Sequence, residues 1–282
     1  VTLLIAVVVG VVAVASLALY RTVSESKLFS VSSVPLLVMN IASGSVHIES
    51  GLPGQVSVVT NKYVFLGDSS LLPVSYTQRG NTLLITANET GISAFLSNST
   101  LEFDIFVPSQ SNLGITVNSG AIQTNDITGT IQLHTSSGFI QADNLAGALT
   151  LKADNGDITG SNLKGQMTLS TTSGAMNVRD VSATDNSSFQ ASNGSIDFQG
   201  TLIPSGTFLF RAESGSIDLR LSKDASFHVD ASTASGPITS EFPDLKVQPG
   251  SSGAEARGDV GAPPRSTIIL QTESGSITLH QL

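Results

Sequence analysis

The sequence predicts an all-β fold: a single-stranded β-solenoid (β-helix) with wider early coils, preceded by one N-terminal transmembrane helix. Three observations predict it. One short motif recurs as "TSSGFIQAD" (Thr135–Asp143), "ADNGDITGS" (Ala153–Ser161), "ASNGSIDFQ" (Ala191–Gln199), "AESGSIDLR" (Ala212–Arg220) and "TESGSITLH" (Thr272–His280). Charged residues are only 12% and aromatics 5%, and the abundance of β-branched residues, Gly, Asn and Ser favours strands and turns over long helices. The opening "VTLLIAVVVGVVAVASLALY" carries no charge and is long enough to cross a bilayer as a helix.

The elements follow in order. Residues 1–20 read as the membrane helix, with Tyr20 as interfacial aromatic and Arg21 as snorkelling cation. The first residue is Val1, so we expect a segment upstream that has been trimmed or removed. Residues 21–39 read as a connector and residues 40–282 as the solenoid domain. Within it, 40–117 hold longer alternating strands such as "LLPVSYTQRGNTLLITAN", read as irregular wider coils or a small capping sheet. Residues 118–282 are the regular coils. The Pro-, Gly- and charge-rich stretch 243–266 reads as a mobile loop before the last coil.

The regular part is set by its turn glycines: Gly120, Gly138, Gly156, Gly174, Gly194, Gly215, Gly236 and Gly275, with an earlier copy at Gly44. From Gly120 onward the spacings are 18, 18, 18, 20, 21, 21 and 39. A near-constant period of this size marks a solenoid. Two residues after the glycine stands an apolar residue, as at Ile122, Ile140, Ile158, Met176, Ile196, Ile217 and Ile277. Later in each coil come pairs two apart, Ile131 and Leu133, Leu149 and Leu151, Met167 and Leu169, which face one side of a strand. Each coil therefore holds two strands and two turns, with a second glycine at Gly129, Gly147 and Gly165 and Ala183 in the fourth copy. One such unit cannot bury its apolar face alone, so neighbouring coils must stack at about 4.8 Å, with the aliphatic columns inside.

The series of Ser-Gly-x-Ile turns, the preceding "LEFDIFVPSQSNLGITVNSGAI" and the single N-terminal span resemble the bacterial putative-adhesin family of β-helical domains of unknown function, the domain of unknown function 4097 type. The resemblance covers about residues 40–282 and implies a β-helical surface or envelope-stress-associated protein. It transfers no catalytic residues.

Composition excludes several classes. A net charge of −9 argues against nucleic-acid partners and against a basic membrane-surface patch. No Cys means no disulfide framework and no thiolate metal site. Asp197 and Asp218 occupy matching positions three past their glycines, so stacking makes them neighbours; this acidic pair is the one weak candidate for a cation site or a carboxylate pair. Arg211 and Arg220 are the cations within reach, equally suited to be ion partners. "DNGD" (Asp154–Asp157) lacks the copied ligand run of a calcium loop. His47, His134, His228 and His280 fall on different coils, without zinc-ligand spacing. No G-x-S-x-G elbow or phosphate loop is present. Asn88-Glu-Thr90, Asn98-Ser-Thr100 and Asn186-Ser-Ser188 fit the N-glycosylation pattern.

The sequence thus reads as a single-pass cell-membrane protein with its large domain extracytoplasmic. It is non-catalytic, has no cofactor, and acts as a structural or interaction module toward surface glycans or envelope proteins. The alternatives are an envelope-stress-associated membrane module, a pilin-like filament subunit, for which Ile5 stands where an acidic residue is usual, and a polysaccharide-acting β-helix enzyme built on Asp197 and Asp218.

Overall fold

The computed structural model describes residues 20–65, 72–88, 100–184, 186–250 and 252–282. Residues 1–19 lie outside them, and the expected membrane helix with them; among the described residues no helix is long and apolar enough to cross a membrane. The segment read as a connector begins with a strand, β1 (Tyr20–Ser30). There follow β2 (Leu36–Ser43), β3 (Ser45–Gly51), β4 (Gln55–Phe65), β5 (Val74–Arg79), β6 (Thr82–Ala87) and β7 (Thr100–Pro108). The paired strands of the coils are β8 (Asn112–Ser119) with β9 (Ile122–Asn125), β10 (Thr128–Ser137) with β11 (Ile140–Asp143), β12 (Ala146–Asn155) with β13 (Ile158–Ser161), and β14 (Lys164–Ser173) with β15 (Met176–Ala183). Next are β16 (Ser187–Asn193) with β17 (Ile196–Leu202), β18 (Thr207–Ser214) with β19 (Ile217–Leu221), and β20 (Phe227–Ser235) with β21 (Ile238–Ser240). The chain ends with β22 (Val247–Pro249), β23 (Ala254–Val260), β24 (Ser266–Ser274) and β25 (Ile277–Gln281).

These strands build two ladders that the chain crosses between at every coil. One runs β1-β4-β7-β3-β9-β11-β13-β15-β17-β19-β25-β21. The other runs β5-β6-β2-β8-β10-β12-β14-β16-β18-β24-β20-β23-β22. The core lies between them. Ile140 and Ile158 are register partners, as are Ile196 and Ile217, and all four are 0% exposed. Each fully buried Ile or Leu contributes roughly 1.5–3 kcal/mol of transfer free energy, so the columns hold the stack together.

The turns explain the glycines. On Gly138, whose φ is 146°, a Cβ would fall well inside van der Waals contact with the Gly120 carbonyl oxygen of the coil below. Only glycine lets successive turns approach at strand spacing. Buried threonines complete the turn: Thr135 Oγ1 donates to Gly120 O at 2.9 Å, and Thr171 Oγ1 to Gly156 O at 3.0 Å. The second turn differs from expectation. Gly129, Gly147 and Gly165 sit inside strands, and the turn residues are Asp126, Asn144 and Asn162, at φ of 51–60°; Asp180, at φ 53°, holds the matching place as a bulge within β15. Asn and Asp tolerate this left-handed conformation because their short polar side chains bond locally. Asn162 Nδ2 donates to Asn144 Oδ1 of the previous coil at 2.8 Å.

Where the period lengthens from 18 to 21, larger side chains fill the core. Phe189 and Phe210 stack at 4.7 Å between centroids, and Phe198 meets both edge-on at 5.1 and 5.2 Å.

Both ends depart from the sequence order. The early region is not a set of wider coils: β2 and β3 already form a regular coil in register with β8 and β9, and β1, β4, β5, β6 and β7 extend the two ladders largely as antiparallel strands. Tyr76 closes that end, stacked at 6.2 Å on Phe29, 4.1 Å from Lys27 Nζ and bonded to Thr60 at 2.6 Å. At the other end, β24 and β25 do not lie beyond β20 and β21. They insert between those strands and β18 and β19. Residues 243–266, expected as a mobile loop, supply β22 and β23, which pair antiparallel and cover β20. Apolar residues spaced among the charges, Leu245, Ala254, Ala256 and Val260, are buried there, and Phe242 packs edge-on against Phe227 at 5.0 Å.

Candidate functional site

Stacking brings the predicted acidic pair together. Asp197 on β17 and Asp218 on β19 are direct register partners, facing outward. They are not free, however. Arg220 Nη1 bonds Asp197 Oδ1, and its Nη2 lies 3.1 Å from Asp218 Oδ1. Arg211, the other cation expected nearby, instead lies 3.8 Å from Glu273. The inserted last coil then adds His280, whose Nε2 is 3.4 Å from Asp218 Oδ1 and whose Nδ1 is 3.1 Å from Glu241 Oε1. Asp218 Oδ1 is buried and lies close to both Arg220 and His280, but is aligned as a hydrogen-bond acceptor to neither. Glu241 also accepts the Gln281 N–H at 2.9 Å; that bond, then His280, lowers its pKa from the usual carboxylate value. The result is a ladder of contacts, Asp197–Arg220–Asp218–His280–Glu241, in which carboxylates alternate with nitrogen-bearing side chains across the last coils.

Such a ladder ties rungs together. Arg220 occupies the space between the two carboxylates in which a cation or a water nucleophile would have to sit. Among the described residues no group of three or more His, Asp or Glu has the geometry of a metal site.

The other histidines follow the same plan. His134 Nε2 lies 3.1 Å from Asp154 on the next coil, and Lys152 Nζ 2.9 Å from the same carboxylate; Lys152 first and His134 second lower its pKa. His228 pairs with Asp259 at 2.7 Å across β20 and β23, lowering that carboxylate's pKa, with Arg265 adding at 3.3 Å. His47 lies 3.8 Å from Asp104. Within "DNGD", Asp157 Oδ1 accepts the Ala175 N–H of the next coil at 2.7 Å.

Sequence reasoning missed one concave site. Three loops, after β17, after β19 and after β23, enclose a cavity of about 470 Å³. Backbone bonds knit them: Ser205 N–H to Arg265 O at 3.1 Å, Thr267 N–H to Gly206 O at 2.7 Å, and Ser266 N–H to Ser226 O at 3.2 Å. Buried Leu221 and Phe227 and the more exposed Leu202, Pro204 and Pro263 line it, with Asp224 and Ser226 supplying polar groups. Its lining holds Ser222, Ser226 and Ser266 beside the apolar side chains, with Asp224 as the charged group. The signal was the lengthening of the spacing to 21, 21 and 39 after Gly194, since these loops lie in those intervals.

Solved structures resemble the chain at low identity. A putative adhesin from Bacteroides fragilis aligns over 92% of this chain and 97% of its own, at 11% identity and a TM-score of 0.46. One from Parabacteroides distasonis aligns over 92% and 97%, at 13% identity and a TM-score of 0.26. A putative cell adhesion protein from Clostridium sporogenes aligns over 93% and 100%, at 10% identity and a TM-score of 0.26. None of the curated proteins compared with the chain matches it. The Toastrack DUF4097 family model matches residues 36–280, nearly all of the solenoid, and the chain belongs to that family.

Proposed function

We propose that the chain is a non-catalytic interaction module, anchored in the cell membrane by its apolar N-terminal segment and presenting the solenoid outside the cytoplasm. The observation that carries the reading is the fate of the acidic pair: Arg220 pairs with both Asp197 and Asp218 and stands between them. What remains outward on the ladders is mostly hydroxyl, amide and paired charge in register, a surface suited to many weak contacts with glycans or envelope proteins. The apolar opening residues supply the membrane anchor, as their length and lack of charge indicate.

The test uses the full chain in detergent or nanodiscs, screened against glycans and envelope proteins, with polysaccharide cleavage assayed in parallel. Saturable binding without turnover supports the module. Turnover lost in the Asp197→Asn/Asp218→Asn double variant would replace it with an enzyme.

A further inference from the structure

The x position of the Ser-Gly-x-Ile turn is small or polar in its repeats, as at Ala121, Asp157, Ala175, Ser195 and Ser216. Phe139 breaks that pattern. It is not core: 41% of it is exposed, while the next residue, Ile140, is fully buried. Fold stability gives no reason for an aromatic ring there, because the repeat is complete without one.

Beside the ring lies a notch of about 230 Å³, bounded by Ser45, His47, Glu102, Gln123 and Phe139. Register explains it. Ala121 stands one rung below Phe139, and its small side chain leaves the gap. His47 and Gln123 are partners on adjacent strands, and Ser45 is the partner of Glu102. One of the polar groups, Glu102, is held by a hydrogen bond, and His47 has a carboxylate near it. Tyr63 Oη donates to Glu102 Oε2 at 2.7 Å, and His47 Nδ1 lies 3.8 Å from Asp104. Gln123 is half-buried and carries both a donor and an acceptor.

We propose that this notch binds one hexopyranose ring of a neutral or amino-sugar glycan, the sugar's apolar C–H face packing on Phe139 and its hydroxyls meeting Gln123, Glu102 and His47. The proposal deepens the interaction-module reading and rests on it. The ring supplies a flat apolar platform of known geometry, and the polar groups at its edge fix orientation. The notch is below the roughly 300–1,000 Å³ of drug-sized pockets, which suits a single ring. Local charge selects among sugars. Glu102, Asp104 and Glu49 stand on this face beside His47, so uronic acids and sulfated or phosphorylated sugars are repelled. A rung spacing of about 4.8 Å lets neighbouring sugar units of a linear glycan run along the ladder.

The experiment is a glycan array followed by titration, using the full chain in nanodiscs, the Phe139→Ala and Gln123→Ala variants, and Phe106→Ala as a control. Phe106 is on the same ladder and 39% exposed, but outside the notch. The expected result is binding of neutral or amino hexoses, weakened at least about fivefold by Phe139→Ala and unchanged by Phe106→Ala, with the same melting temperature for all variants. Equal loss in both Phe variants, preference for acidic sugars, or binding untouched by Phe139→Ala overturns the site while leaving the module intact. A Phe139-dependent dimer without sugar binding also overturns it. No partner of any kind in the array or the envelope-protein screen overturns both.

Discussion

Ser276 donates a hydrogen bond to Ser216 at 3.0 Å although 60 residues separate them. Pro237, the matching residue of the coil between them in sequence, lies one rung farther out. The last coil is therefore clamped on both sides, by β18 and β19 below and by β20 and β21 above. The start is arranged likewise, with β2 and β3 held between β6 and β7 on one side and β8 and β9 on the other. At each end a coil near the chain terminus is thus held between two others, and the outermost positions of the two ladders fall to β1 and β21 and to β5 and β22.

Because the last coil is internal, removing its core residue opens a cavity with coils on both sides. Ile277→Ala should cost about 2–5 kcal/mol. Ile238, at 5% exposure on the outer rung, should cost less when truncated in the same way. Urea unfolding of the two variants tests the order, and a greater loss at Ile238 would contradict the clamp.

The turn column should discriminate sharply between glycines. Gly138→Ala places a Cβ against the Gly120 carbonyl and should cost several kcal/mol or prevent folding. Gly114 has nothing within 4 Å of an added Cβ, so Gly114→Ala should stay within about 1 kcal/mol of the parent. Comparing melting curves of the two alanine variants settles the matter; similar losses would mean the close approach is relieved.

Arg220 acts as a shared counter-ion, so removing it should be worse than removing one of its partners. Arg220→Ala leaves Asp197 and Asp218 as adjacent like charges, and we expect a loss of about 1 kcal/mol that shrinks in high salt. Adding Asp197→Asn and Asp218→Asn to that variant should recover part of it. A double-mutant cycle for Arg220 with Asp197 measures the coupling, and zero coupling at low salt would leave the ladder without energetic weight.

Acid should loosen both the body and the C-terminal end. Asp154, Glu241 and Asp259 all have pKa values lowered by their partners. A lowered folded pKa contributes stability above the unfolded value, about 4. That contribution is lost as pH falls through the lowered value. Stability should therefore decline as pH drops below about 4, and Asp154→Asn should make the decline shallower. Denaturant midpoints across pH read this directly, and a parallel profile in the variant would remove Asp154 from the account.

The parts legible in the sequence are those that depend on local repetition. The turn glycines, the Ile column that includes Ile140 and Ile158, and the neighbouring of Asp197 and Asp218 all follow from period alone. Rung order does not, because a spacing of 39 between Gly236 and Gly275 states a distance along the chain and not which coil receives the strand. The hairpin of β22 and β23 was hidden for a different reason: its buried positions are mostly alanines, whose apolar signal is faint beside Glu255, Arg257 and Asp259. The three-loop cavity was invisible because loop residues from well-separated positions converge only after the coils stack. Arg220 was noticed as a cation, but its place between both carboxylates is a matter of side-chain direction across two rungs.

Rung order is tested most directly by cross-linking, since the native chain has no cysteine to confuse the result. Adjacent rungs place Cα atoms within the roughly 4.4–6.8 Å that a disulfide needs, and rungs two apart, at about 10 Å, do not. The variant Ser216→Cys/Ser276→Cys should close a disulfide on mild oxidation, while Asp218→Cys/Thr239→Cys should remain reduced. The reverse pattern would place the coils in simple chain order and contradict the clamped architecture.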